Sequence, residues 1–250
     1  MIYVFVILFG LLIGSFLNVC IYRIPREESI SFPPSHCTSC GTRLKWYDLV
    51  PVFSYLFLKG KCRTCGEKIS IRYPIIELSN CLLYVALYAE YGLAPELVKF
   101  AFLGSLLIVI GMIDFDTTDV YLKTTLTGII LGITWIVISY FTSGEIITYV
   151  AGGALAGGII ALIILLTHGM GWGDFEICLM IGLFLGLKLS VLMIFLSFVL
   201  GGIVGLILIV TKKKSRKDYI PFGPYIALSG IITMLIGNDI INWYLSLINL

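Results

Sequence analysis

The stretch Gly169-Met170-Gly171-Trp172-Gly173-Asp174 runs straight into an apolar segment, residues 175–187, and that junction decides how the chain is read. An acid at the head of a hydrophobic span is costly beside a bilayer, and such acids tend to mark function. The glycines before it let a helix backbone and a bound chain approach closely. Asp114 stands in a matching place, at the end of another apolar span. Two carboxylates facing one aqueous boundary are a means of activating water.

Of the 250 residues, 59% are hydrophobic and 13% charged, and the mean hydropathy is +1.02. Soluble domains use roughly 45–50% apolar and about 25% charged residues. The composition therefore implies a polytopic membrane protein. The net charge of +2 conceals an asymmetry: nine of the 17 Lys and Arg lie between Arg23 and Arg72, and five more in the run Lys212–Lys217. Basic loops stay in the cytoplasm, so this balance reads as topology and no nucleic-acid partner is expected. Residues 1–20 lack a preceding basic stretch, which predicts a retained helix with its N-terminus outside.

A helix needs about 20 apolar residues to cross a bilayer. The expected fold is an all-α polytopic membrane protein with about eight transmembrane helices: 1–22, 74–93, 97–113, 124–142, 146–167, 175–187, 189–211 and 221–246. The sixth is short enough to form one broken hairpin with the seventh. Three domains follow: the first helix at 1–22, a cytoplasmic loop domain at 23–72, and a transmembrane domain at 73–250. One orientation satisfies every charge cluster, and it delivers both Asp114 and Asp174 to the cytoplasmic side. Small residues at 151–158 allow close helix packing and are assigned no chemistry.

Within the loop lie Cys37-x-x-Cys40 and Cys62-x-x-Cys65, each followed by glycine, at Gly41 and Gly66. Two such knuckles offer four thiolates to a tetrahedral zinc ion; two disulfides are the competing reading, disfavoured in a reducing compartment. A closed four-sulfur site is structural, without an open position for catalysis. The 21-residue spacer at 41–61 predicts a small strand-rich insert. Cys20, Cys81 and Cys178 read as small buried hydrophobes, and His36 and His168 are not expected to be ligands.

Asp114, Asp116 and Asp119 together also fit a solvated helix end. Asp174, behind Gly171 and Gly173, is the stronger candidate. Two close carboxylates cannot both stay charged, so the pair shares a proton: one acid deprotonates a bound water and the other protonates the departing amine. Which takes which role belongs to the pair as a unit. This is the chemistry of an intramembrane aspartic protease.

Several motifs in order resemble the bacterial type IV prepilin leader peptidases, membrane aspartic proteases with a glycine-x-glycine-aspartate signature. They are residues 14–25, the four cysteines, 50–55, 69–77, Ile113-Asp114-Phe115-Asp116-Thr117, Gly171-Trp172-Gly173-Asp174-Phe175, and 220–225. The resemblance implies that Asp114 and Asp174 are catalytic and that Gly171 and Gly173 support the motif. It further implies cleavage of the short basic leader of prepilins or pseudopilins at the cytoplasmic face of a bacterial inner membrane. N-methylation of the new terminus with S-adenosylmethionine is implied as well, at a site the sequence does not place. The expected partners are that substrate and membrane lipids. Two positions depart from the family pattern. Tyr121-Leu122 stands where a proline and an acidic or amide residue are usual, which leaves open whether Asp114 or Asp119 faces Asp174. Glu176 stands where lysine is frequent, and would either bear on the acid pair or meet a loop cation. Outside the enzyme class, a zinc-bearing membrane scaffold of a pilus or secretion system and an ion transporter remain as alternatives.

Overall fold

The computed structural model describes residues 1–142, 146–214 and 220–248. Among them are nine α-helices: α1 (Ile2–Arg23), α2 (Phe53–Phe57), α3 (Arg72–Tyr91), α4 (Pro95–Thr117), α5 (Leu122–Thr142), α6 (Ile146–Thr167), α7 (Trp172–Leu185), α8 (Leu187–Val210) and α9 (Gly223–Leu247). Six are long and apolar enough to cross a membrane: Ile2–Arg26, Pro95–Thr117, Leu122–Phe141, Ile146–Thr167, Leu187–Val210 and Gly223–Leu247. The all-helical polytopic expectation is met, whereas the count of eight is not reached on these criteria. Of the eight expected spans, the two that fall short are α3, which carries Arg72, Glu77 and Glu90, and α7, which has only 14 residues. At 1.5 Å per residue α7 is about 21 Å long, against a hydrocarbon core of about 30 Å.

The chain divides into two compact units, Met1–Ala101 and Phe102–Leu250. In the first, α1 and α3 pack along a seam of small residues. A Cβ on Gly10 would lie 2.9 Å from Cys81 Cα, and one on Gly14 would lie 2.7 Å from Glu77 Cα. Backbones this close gain dispersion contacts that a lipid tail cannot match. Buried amides tie the seam: Asn80 donates to Gly10 O at 2.8 Å and Asn18 donates to Tyr73 O at 3.0 Å. The buried Arg23 guanidinium folds the following loop, donating to Ser29 O at 2.9 Å and Pro33 O at 2.7 Å.

The spacer at 41–61 is helical, not strand-rich. It holds a 3₁₀ turn at Trp46–Leu49 and the short α2, and the described residues contain no strand beyond two isolated bridges, His36 with Arg43 and Lys61 with Lys68. Both bridges close the knuckles themselves. Pro51 sits mid-spacer without an amide to give to a ladder, which breaks a central strand.

In the second unit α7 is the hub, packed against α5, α6, α8 and α9. Ile177, Cys178, Met180 and Ile181 are completely buried. The small-residue run of α6 makes the closest approach: a Cβ on Gly152 would lie 2.6 Å from the Gly186 carbonyl carbon, and one on Gly182 would strike the Gly152 backbone. Gly186, at φ +76°, breaks α7 from α8. Gly158, by contrast, has nothing within 4 Å of a Cβ position. Gly182→Ala should therefore lower the thermal unfolding midpoint in detergent, at the overpacking cost of about 1–3 kcal/mol, while Gly158→Ala leaves it unchanged or raised. Equal behaviour of the two variants would refute this packing.

Candidate active site and cysteine cluster

Asp174 lies in the first turn of α7, where its Oδ2 accepts a hydrogen bond from the Gly171 amide at 3.1 Å. That bond satisfies one of the otherwise unpaired N–H groups at a helix start, and the helix dipole favours an acid there. Asp114 lies near the end of α4. A Cβ on Gly223 would meet both Asp114 Oδ2 and Ile177 Cδ1, and Ile177 lies one turn beyond Asp174 on α7, so the two acids sit on neighbouring helix ends. Both are buried, 2% exposed for Asp114 and 5% for Asp174.

Two glycines shape the surroundings. A Cβ on Gly173 would lie 2.5 Å from Val120 Cβ, so the loop after α4 seats directly on the motif. A Cβ on Gly223, at the start of α9, would lie 2.5 Å from Asp114 Oδ2. The Gly223 amide faces the same carboxyl group, yet in hydrogen-bond geometry that oxygen has no partner among the described residues. A Cβ on Gly171 would make only ordinary contacts, at 3.9 Å, and the contribution of this glycine is the amide. An orphaned carboxylate oxygen beside a second acid is where a water or a polar substrate group would be held.

Of the acids near the end of α4, Asp114 is the buried one, while Asp116 and Asp119 are exposed. The chain turns just after α4 at Thr118, at φ +59°, whose amide donates to Asp114 O at 2.8 Å. Glu176 does neither thing expected of it: its Oε2 accepts from the buried Thr125 hydroxyl at 2.6 Å, tying α7 to α5. Gly223 was legible only as part of a matching motif, without a role. Glu77 carried a signal that was not used, an acid inside an apolar run. It is buried, and its Oε2 accepts from the Val52 amide at 2.7 Å.

The four cysteines converge. The Sγ atoms of Cys37, Cys40, Cys62 and Cys65 all lie within 4.8 Å of one another, with Cys37 and Cys65 at 3.8 Å. Zinc–sulfur bonds of about 2.3 Å at tetrahedral angles place sulfurs about 3.8 Å apart, so the donor set fits zinc. The knuckles repeat one geometry: Gly41 N–H donates to Cys37 O and Gly66 N–H to Cys62 O, with φ of +70° and +72°. Side-chain and backbone hydrogen bonds from Thr42 pull the Cys40 thiol down to about 6. The Cys65 and Thr64 amides lower Cys62. A Glu67 amide bond also favours the Cys65 thiolate, but burial and the neighbouring thiols push it up to about 12. Such a cluster stays partly protonated until a cation neutralises it. His36 bonds Pro34 O through Nδ1 at 3.1 Å and lies outside the cluster.

The Bacterial Peptidase A24 N-terminal domain model matches residues 8–91, and the Type IV leader peptidase family model matches residues 101–206. A Pseudomonas putida protein named prepilin leader peptidase/N-methyltransferase is 34% identical, over 92% of this chain and 89% of its own. The chain belongs to the type IV leader peptidase family. A relative of the same name from Bacillus subtilis is 33% identical over 96% of both chains. One from Myxococcus xanthus is 44% identical over 52% of this chain and 39% of its own. No solved structure matches. Asp114, Asp174 and Gly173 lie within the stretch matched by the leader peptidase model, and all four cysteines within that of the N-terminal domain.

Protein purified without chelator should carry about one zinc per chain, as a four-thiolate site binds one ion. Cys62→Ser should lose the metal and leave the 23–72 loop open to limited proteolysis. Metal-free wild-type protein with paired disulfides would overturn the zinc assignment.

Proposed function

We propose that this chain cleaves the basic leader from a type IV prepilin or pseudopilin at the cytoplasmic face of a bacterial inner membrane, with Asp114 and Asp174 as the catalytic pair. The observation that carries this reading is the unpartnered Oδ2 of Asp114, buried beside a second buried acid and bordered by the bare Gly223. A pair of close acids holds one proton between them, which gives a base for water and an acid for the leaving amine in one step. The water attacks the scissile carbonyl as one carboxylate takes its proton. The carboxylic acid then gives its proton to the departing nitrogen, and the pair returns to its starting charge.

Membrane sidedness is supported by charge. The basic stretch Arg23–Arg72 and the run Lys212–Lys217 both fall inside when the N-terminus is outside. A path of eight crossings, with α3 and the α7–α8 break included, keeps both acids on that side. In this reading the four-cysteine site is a structural staple for residues 23–72 and takes no part in proteolysis.

N-methylation of the new terminus with S-adenosylmethionine is supported by the names of the relatives. No glycine-rich Rossmann turn is available to the donor, because the described residues form no sheet. The scaffold reading has no comparable observation in its favour, since a buried acid pair contributes nothing to docking a partner.

Mass spectrometry of a synthetic prepilin incubated with detergent-purified protein should show loss of the leader, and a further methyl mass only when S-adenosylmethionine is present. Asp114→Asn and Asp174→Asn should each lower cleavage at least about 100-fold, the lower end of an acid–base contribution, with the protein still folded and inserted. Cleavage retained by either variant would remove that residue from the pair.

A further inference from the structure

We propose that residues 45–63 of the four-cysteine loop form an interfacial element that lies on the surface of an anionic bilayer, with Phe53, Leu56 and Phe57 at the acyl boundary. This rests on α1 being a membrane span.

The first argument is depth. Glu77 lies level with Gly14, because Glu77 Cα is the atom nearest a Cβ built there. Gly14 precedes Arg23, the last residue of α1, by nine positions, about 13 Å of helix. The helices run antiparallel, as Asn18 reaches Tyr73 while Asn80 reaches Gly10. The Glu77 side chain leans toward the start of its own helix, which returns about one turn of that depth. Its Oε2 then accepts from the Val52 amide at 2.7 Å, one residue before α2 begins. The spacer does not stand off in bulk water. It dips back beside the last turns of a membrane span and is held there by a buried acid.

The second argument is the face it presents. Phe53, Leu56 and Phe57 fall at i, i+3 and i+4 of α2, one stripe of a helix. All three are exposed, Phe57 by 84%. Trp46, 80% exposed, stands in the 3₁₀ turn that packs against α2. An exposed aromatic cluster of this size on a small module marks an interaction surface. Tryptophan with phenylalanine and leucine beside lysine and arginine is the composition of helices that settle into headgroups.

The third argument is charge. Residues 45–63 contain Lys45, Lys59, Lys61 and Arg63, and Asp48 as their only acid. Asp48 is taken by Arg63 at 2.8 Å. Arg63 also lies over the Tyr47 ring at 5.0 Å, and Lys45 over the same ring at 5.7 Å, so cations flank the aromatic face. Such a surface repels a basic leader and attracts anionic headgroups.

The test uses the full chain with Trp135, Trp172 and Trp243 changed to Phe, leaving Trp46 as the emitter, in nanodiscs with or without phosphatidylglycerol. Lipid brominated in the acyl chains should quench Trp46 about twofold or more in anionic discs, and aqueous iodide should quench it little. Phe57→Asp should abolish the bromolipid quenching while metal analysis shows the zinc retained. Iodide quenching without bromolipid quenching would place the face in water and overturn the proposal. Shielding from both quenchers would place it against protein, a second copy included, and overturn it equally. Equal bromolipid quenching in purely zwitterionic discs would overturn the anionic preference.

Discussion

A 14-residue helix cannot cross a bilayer by itself, and the second unit is organised around that constraint. The short α7 carries Asp174 at its head and is kept in place by four neighbouring helices. Lipid offers no hydrophobic drive between apolar helices, so the stabilisation must come from close packing. The glycines of α6 and α7 supply it, with Gly152 and Gly182 bringing two backbones into direct contact. The α7–α8 break at Gly186 then follows naturally. The chain must leave the centre of the bundle before it can resume as the long α8, and a positive φ provides the turn.

The same economy governs the first unit, with polar groups as the ties. Asn18, Asn80, Arg23 and Glu77 are all buried along or beside the α1–α3 seam. Each would be destabilising alone, and those whose partners are resolved reach backbone atoms. A satisfied polar contact fixes register, because sliding the helices by one turn would strand it. Glu77 extends the principle beyond the helix pair by holding the start of α2, where Val52 sits at φ +63°, an outlying conformation for a β-branched residue. Strain of that kind persists only where the surroundings fix the backbone.

Much of this was legible in the amino-acid order. Hydropathy located all the long helices to within a few residues, because a span needs a continuous apolar run and little else. The cysteine spacing announced its cluster, since two short knuckles have few other uses. What escaped was whatever depended on an encounter between distant segments. The helical spacer could not be told from a stranded one, as residues 41–61 are too short for periodicity to speak. Glu176 looked like a disturbance to the acid pair, yet its partner is Thr125, 51 positions away. The missing proline at Tyr121-Leu122 looked like a lost bend, yet the chain turns just after α4 at Thr118, at φ +59°. In both cases the local rule was sound, and the outcome rested on a contact or conformation that sequence spacing does not encode.

Gly223 shows why the candidate site is defined as much by absent atoms as by present ones. A methyl group there would meet Asp114 Oδ2 at 2.5 Å, well inside van der Waals contact. Only a residue without a side chain lets the start of α9 come so close to that carboxylate, whose Oδ2 is sealed from solvent and has no partner in hydrogen-bond geometry among the described residues. Gly173 acts elsewhere in the site: its bare Cα lets Val120, in the loop between α4 and α5, seat against the start of α7. A buried acid with an unsatisfied oxygen carries a desolvation cost that packing alone would eliminate. Asp114 keeps such an oxygen, while Asp174 offsets part of its own burial through the Gly171 amide, and a buried acid retained at that cost is a candidate for chemistry.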